Sequence, residues 1–362
     1  MKLSYRFVAV FGCVILMSLL VQACAAPPTP QPAATQEVVQ TEEPTPTPEP
    51  TQAAETAKLK VMIQPFVTFV PFYIAEEEGY YAEQNLEVEL ISVTVNQEIL
   101  PALSSGQVDV SSGLISAGLL NAIDRGGSFK IVADKGFVDP NNCDNYALVA
   151  RRDLAEAGTF ESVADLRGHT VNVVPATFLE YYLATLLETE GLTMDDIEIS
   201  DVPVPAQPEA FEQKTLELTL NSEPWVTRFQ DAGHSPVLTP PSELVPDAEA
   251  AVVLYGPTLL NENEDVANRF MTAYLKAVRQ YNEGKTPRNI ELLAEFSNID
   301  PEFLERMCWP ALRTSGELNV QAVLDFQDWA LEAGHLDNAI SAEQFYDGSF
   351  VTYANLALDS AQ

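Results

Sequence analysis

From Leu59 onward the chain repeats one unit: a short hydrophobic run with strand-like alternation, a tight turn, then a run at helical spacing. "LKVMIQ" (59–64), "LEVELISV" (86–93), "QVDVSSG" (107–113) and "FKIVADKG" (129–136) read as strands. Residues 70–85, 96–106 and 115–127 between them read as helices, the first broken at Gly79 and the second carrying Pro101. Strands separated by helices of this length join one sheet through crossovers. The pattern therefore predicts βαβ units and a largely parallel sheet.

A second block begins near "NYALVARRDL" (145–154). It continues with a short helix running into a strand (162–174), a long amphipathic helix (177–192), a strand (196–202) and a helix–strand–helix segment (208–233). A third block turns helical after one more strand (250–256). Its helix over 263–284 carries Val266, Phe270, Tyr274 and Val278 on one face. Further helices are predicted over 288–297, 302–309, 320–333 and 342–346.

The first 57 residues follow other rules. Lys2 and Arg6 precede an apolar run from Phe7 to Val21, too short to span a bilayer and arranged like a signal peptide (1–23). Val-Gln-Ala-Cys has the form of a lipobox, which makes Cys24 the expected lipid-attachment residue. Residues 25–57 are rich in Pro, Thr, Glu and Gln, so 24–57 is expected to be a disordered tether lifting a domain off a membrane. The roughly 305 residues that follow exceed what one hydrophobic core usually serves, so two lobes are expected.

Formal net charge is −34, from 19 Lys plus Arg against 53 Asp plus Glu, and no basic cluster follows the signal. Nucleic acid is thereby a poor partner, and the acidic exterior reads as a solvated surface. Two cysteines remain for the folded part, Cys143 in the polar loop "DPNNCDN" and Cys308 in "FLERMCW". An exported setting permits a disulfide, but spacing sets no distance between them, and a free cysteine acting as a small buried hydrophobe is the favoured reading over a pair. "DPNNCDN" is oxygen-rich yet lacks the glycine and terminal glutamate of an EF-hand loop, so it reads as a hinge loop.

No G-x-S-x-G, Walker A loop, C-x-x-C or H-E-x-x-H is present. His169, His234 and His335 fall at turns or helix ends, where capping is the usual role. What recurs is a run of strand ends leading into loops with small polar or aromatic residues: 64–73, 111–116, 174–182 and 221–226. In open α/β sheets ligands bind outside the carboxyl ends of strands, and helix N-termini there offer N–H groups to anions. Two of these loops lie in the first block and two in the second, as a cleft between lobes requires.

The ordered set "PFYIAEEEGYYAEQNLEVEL", "ALSSGQVDVSSG", "NAIDRGGSFKIVADKG", "VADLRGHTVNV", "SEPWV" and "VANRFMTAYLKAVRQYN" resembles the periplasmic substrate-binding proteins of ABC transporters. Within them it is similar to the sulfonate/nitrate/taurine and thiamine-pyrimidine-precursor group. The resemblance implies an α/β, two-lobed type II periplasmic binding protein fold. Each lobe would be a mostly parallel sheet flanked by helices, with a helical C-terminal part on the first. Lobe 1 would comprise 58–143 and 247–362, lobe 2 144–246, with crossings near 140–146 and 240–250. It further implies a non-enzymatic, cofactor-free, monomeric protein, lipid-anchored at the outer face of the cytoplasmic membrane. Such a protein closes on a small molecule and delivers it to an ABC permease.

Carried over by position, Gln64, Phe66, Phe72, Tyr73, Ser112 and Ser116 would form the first wall of the ligand site. Thr177, Phe178, Glu223 and Trp225 would form the second. Helix N-termini would hold a sulfonate-like anion. Glu217, Asn221 and Glu223 make the second wall more acidic or amide-rich than an anion needs, and no arginine falls in the four loops. A thiamine-precursor-like heterocycle stacked on Tyr73 or Trp225 therefore competes. The alternatives are a thiamine-pyrimidine-synthase-like enzyme on the same fold and a surface-tethered sensor that binds a protein.

Overall fold

A computed structural model describes residues 56–64, 66–93 and 98–360. The signal-like start, Cys24 and the tether up to residue 55 lie outside the described residues, while Ala57, expected at the tether's end, already belongs to the first strand. Strand β1 (Ala57–Ile63) leads into α1 (Val70–Glu77), α2 (Tyr80–Glu83) and β2 (Leu86–Ser92). Gly79, at φ 73°, separates the two helices in the left-handed conformation that glycine adopts without steric cost. Then come α3 (Ile99–Ser104), β3 (Val110–Leu114), α4 (Ala117–Asp124) and β4 (Lys130–Phe137).

The chain crosses over and forms β5 (Tyr146–Ala150), α5 (Arg152–Glu156), β6 (Thr170–Asn172), α6 (Phe178–Glu188), β7 (Glu198–Ser200) and α7 (Gln207–Glu212). Strand β8 (Leu218–Ser222), α8 (Trp225–Asp231), β9 (Ser235–Pro236) and α9 (Pro241–Leu244) complete this half. The chain returns through β10 (Glu249–Tyr255) into α10 (Pro257–Asn261), α11 (Glu264–Tyr281), α12 (Pro287–Ser297), α13 (Pro301–Arg306), α14 (Val320–Glu332), α15 (Ala342–Phe345) and α16 (Ser349–Ser360).

Two five-stranded sheets result, in the orders β2-β1-β3-β10-β4 and β7-β6-β8-β5-β9. Neither is purely parallel. Strand β10 runs antiparallel to β3 and β4, and β5 runs antiparallel to β8 and β9. The cause is topological. Each crossover delivers the chain at the carboxyl ends of the other strands, so the first strand after it must run back from that edge.

The first sheet is covered on one face by α1, α11, α12 and α16, where Phe72, Phe270, Tyr274 and Tyr255 are fully buried. On α11 the i, i+4 set Phe270, Tyr274 and Val278 points inward, as its spacing predicts. Its acids Glu264 and Asp265 sit in the first turn and Arg279 in the last, in keeping with the helix dipole. The other face packs on α4, α14 and α15 through Leu120, Phe326 and Phe345. Helix α16 is absent from the sequence reading. It lies along α11, with Arg279 bonded to Asn355 (2.9 Å) and paired with Asp359 (2.8 Å). The second sheet buries Leu148, Val171 and Leu220 in one core with Leu183 of α6.

Candidate functional site

The two crossovers run side by side. Val138 N donates to Ala248 O (2.9 Å) and Asp247 N to Val138 O (2.8 Å), a short antiparallel pairing between the sheets. Arg313 ties this hinge to the C-terminal segment through Glu249 (3.1 Å) and the Asp247 carbonyl (3.2 Å). On the same side Cys143 and Cys308 form a disulfide, against the free cysteine that the sequence favoured. It closes a loop across 165 positions, a constraint on the unfolded chain that typically stabilises by about 2–4 kcal/mol.

The carboxyl ends of β1 and β3 face those of β6 and β8 across the hinge, and at one point they touch. Ser116 caps α4 with its hydroxyl on Leu119 N (3.2 Å), and Thr177 caps α6 with its hydroxyl on Leu179 N (3.3 Å). The caps themselves pair as an antiparallel bridge. Ala117 N donates to Ala176 O (2.8 Å), and Phe178 N donates to Ile115 O (3.0 Å). Both donors are first-turn N–H groups that would otherwise lack an intrahelical partner. Each helix start is thus satisfied by a carbonyl of the opposite lobe. The Glu180 carboxylate accepts from Ala176 N and lies 3.3 Å from His335, while Tyr181 packs against Phe326 and Trp329 of α14.

The residues read from sequence as the two walls separate into three groups. Gln64, Ser112, Ser116 and Thr177 lie at strand ends or caps facing the hinge side, and all but Ser116 are buried. The Ser112 hydroxyl has no hydrogen-bond partner among the described residues, which leaves a buried polar group for something else to satisfy. Phe66 stands 38% exposed at the start of the loop after β1.

Other residues of the two walls pack in cores or make structural bonds. Phe72 is wholly buried against Tyr274, with ring centroids 4.8 Å apart, because α1 turns it toward α11. Tyr73 points to α12, packing on Phe296 (5.6 Å) and bonding Glu295 (3.3 Å). Burial and the neighbouring carboxylates push its hydroxyl up to about 12. Phe178 sits in the lobe 2 core, edge-on to Tyr146.

The Glu223 carboxylate is fully engaged, accepting from Thr227 N (3.1 Å), Thr227 Oγ1 (2.7 Å) and Cys308 N (3.3 Å). Burial raises its pKa against those bonds. Glu217 leaves the second wall altogether, bonded to His169 (2.9 Å) and Thr170 N (3.2 Å) at the far end of β8. Trp225 lines a cavity on lobe 2 rather than the hinge side. Asn221 is satisfied within a buried amide network by Gln207 (2.7 Å) and Thr219 (2.7 Å).

Sequence reasoning missed Lys135. It lies in β4, nearly fully buried, with Nζ donating to Thr68 Oγ1 (2.9 Å) in the loop after β1 and 3.7 Å from the centre of the Phe69 ring. Desolvation lowers its pKa to about 7, opposed by the Asp134 charge. In sequence it is one lysine in a strand, and only a cation at a strand-end position would have signalled it. Beside it, Asp134 accepts from Arg313 N (2.7 Å) and Gly136 N (2.9 Å), and burial still raises it to about 6. Burial first and the Asp134 carboxylate second push Glu249 up to about 9.

Residues 67–283, more than half of the chain, match a family model described as NMT1/THI5 like. The riboflavin-binding protein RibY of Chloroflexus aurantiacus is 24% identical over 270 residues, 73% of this chain and 71% of that protein. Among solved structures, the ligand-binding component of an ABC-type import system from Staphylococcus aureus superposes with a TM-score of 0.68. It is 16% identical and covers 82% of this chain and 99% of its own. The alkanesulfonate-binding protein SsuA from Xanthomonas axonopodis gives 0.65 at 18% identity, covering 82% and 100%. The desulfurization enzyme DSZB shares the fold as well, at 0.60 and 15% identity, covering 84% and 100%. The fold is that of the periplasmic binding proteins, as the resemblance implied.

Proposed function

The chain belongs to the NMT1/THI5-like family, and from that premise we propose that it is the extracytoplasmic solute-binding component of an ABC importer. It captures a small molecule between its two lobes and hands it to a permease. The observation that carries the reading is the pair of hydrogen bonds joining Ala117 to Ala176 and Phe178 to Ile115. They join lobes that are otherwise connected through crossovers, the disulfide and flanking side chains, and the caps they link follow the carboxyl ends of β3 and β6. Each net backbone bond is worth about 0.5–1.5 kcal/mol, enough to bias closure and small enough for a ligand to compete.

The ligand fits the sulfonate-like class where the first wall offers the Lys135 Nζ as a hydrogen-bond donor and the unpartnered Ser112 hydroxyl. It fits the heterocycle class where Phe66 offers an exposed ring. Cys24 carries the lipid that holds the protein at the outer face of the cytoplasmic membrane. An enzyme is the second reading, favoured by DSZB having this fold and by the buried, near-neutral Lys135 amine.

Thermal-shift measurements with alkanesulfonates, nitrate, pyrimidine precursors and riboflavin test the binding. One class should raise the melting temperature in a saturable way while being recovered unchanged. Recovery of a converted compound favours the enzyme, and stabilisation only by a protein partner sinks the transport reading. Replacing Cys24 by Ser should release the protein from membranes into the soluble fraction, whereas retention there contradicts lipid attachment.

A further inference from the structure

Arginines in this chain nearly always find a carboxylate, as 53 acids against 19 bases would lead one to expect. Eight of the ten described arginines have one within 4.0 Å. The two exceptions are Arg152 and Arg228, and both line the same cavity of about 590 Å³ on lobe 2, between α5, α7 and α8. The volume lies within the range of small-molecule sites.

The cavity holds these cations in place. The Arg228 guanidinium lies 4.7 Å from the Trp225 ring centre. The Arg152 guanidinium rests on Gly233, where an added Cβ would come within 2.4 Å of Nε, and Gly233 itself needs φ +86°. An aromatic floor adjoins them. His234 stacks on Phe211 with centroids 4.3 Å apart, and Phe229 meets Phe211 edge-on. His234 Nδ1 accepts from Arg152 N (3.1 Å), which puts the ring proton on Nε2 as a second kind of donor. The lining carboxylates are Asp153, Glu156 and Glu212. Asp153 is held between Arg151 (2.6 Å) and Lys214 (2.9 Å). Four cations thus face three carboxylates here, on a molecule whose net charge is −34.

We propose that this cavity is a second ligand site, separate from the crevice between the lobes, for a small aromatic anion. Its ring lies on the Trp225 and His234 surface, and its phosphate, sulfonate or carboxylate is taken by Arg152 and Arg228. Guanidinium forks suit such oxyanions, and they stack on aromatic faces as an ammonium does not. Exposure of both arginines to solvent keeps the binding modest and salt-sensitive.

Phenyl phosphate titrated into the folded protein tests this by ¹H–¹⁵N NMR of the Trp225 indole and the Arg152 and Arg228 Nε–H groups. These signals should shift saturably, with inorganic phosphate and benzyl alcohol each weaker by about tenfold. The Arg152→Met/Arg228→Met variant should lose about tenfold in affinity at an unchanged melting temperature. Shifts confined to Ser112, Ser116 and Thr177 overturn the second site while leaving the crevice reading intact. So does saturation that the double variant does not alter, or the absence of any saturable shift. Shifts produced by an acidic peptide but not by phenyl phosphate overturn it in favour of protein docking.

Discussion

Lys135 shows how far burial outweighs a side chain's ordinary chemistry. Its pKa falls to about 7 because the amine is desolvated, while the unfolded chain protonates near the usual lysine value. A depressed lysine contributes its full stability above the unfolded pKa and loses it as pH falls toward 7. Lys135→Met should therefore be more stable than the parent at pH 7, by on the order of 1–3 kcal/mol, with the gap closing toward pH 10. Denaturant unfolding at several pH values reads this directly, and a gap independent of pH would contradict a neutral buried amine. Glu249 carries the opposite sign. Its raised pKa means that its stabilising contribution is complete below the ordinary carboxyl range and is lost as pH rises toward about 9. Glu249→Gln, which keeps an acceptor for Arg313 and Asn319, should flatten that alkaline loss. An unchanged alkaline slope would show that Glu249 is ionised when folded. Neither residue was legible in the sequence as a perturbed group, because both perturbations come from neighbours distant along the chain.

Elements were legible where periodicity was strong. The break at Gly79, the inward face of α11 and the strands of the first block follow from local patterning. Aromatics at strand ends were not, since a ring in a core and a ring at a site leave the same mark in the sequence. Phe72 and Phe66 lie six residues apart, and the phase of α1 against α11 sends the first inward, whereas the second precedes the helix in the loop after β1 and stays exposed. The cap pairing was invisible for another reason: its donors and acceptors are backbone groups. It yields a test at the level of the helix start. Ala117 is the first residue of α4, a place that tolerates proline, and Ser116 before it is already extended (φ −154°, ψ 154°). Ala117→Pro removes one bond between the lobes at little cost to the helix. It should weaken ligand binding by about fivefold, equivalent to roughly 1 kcal/mol of lost closure. Calorimetric titration with the ligand found by thermal shift measures it, and unchanged affinity would mean that the cap pairing does not support closure.

At the scale of the molecule, the alternation of strands and helices pointed to two α/β lobes. It did not reveal that each sheet admits one strand running against the crossover direction, since strand direction depends on where the chain enters. Clustering of the predicted site residues at one hinge was legible in part. Ser116 and Thr177 meet across the lobes, whereas Trp225 belongs to a separate cavity. The function proposed above requires a change of shape. In that proposal two lobes on a short paired hinge would be biased toward closure by a few backbone bonds, and a solute would add the remainder. Spin labels at Glu190→Cys in lobe 2 and Gln321→Cys in lobe 1, both exposed positions, report the separation of the lobes by pulsed electron resonance. With the stabilising solute, the distance distribution should narrow and move to the shorter separation of the closed form. A distribution that stays the same with and without bound solute would contradict capture by closure.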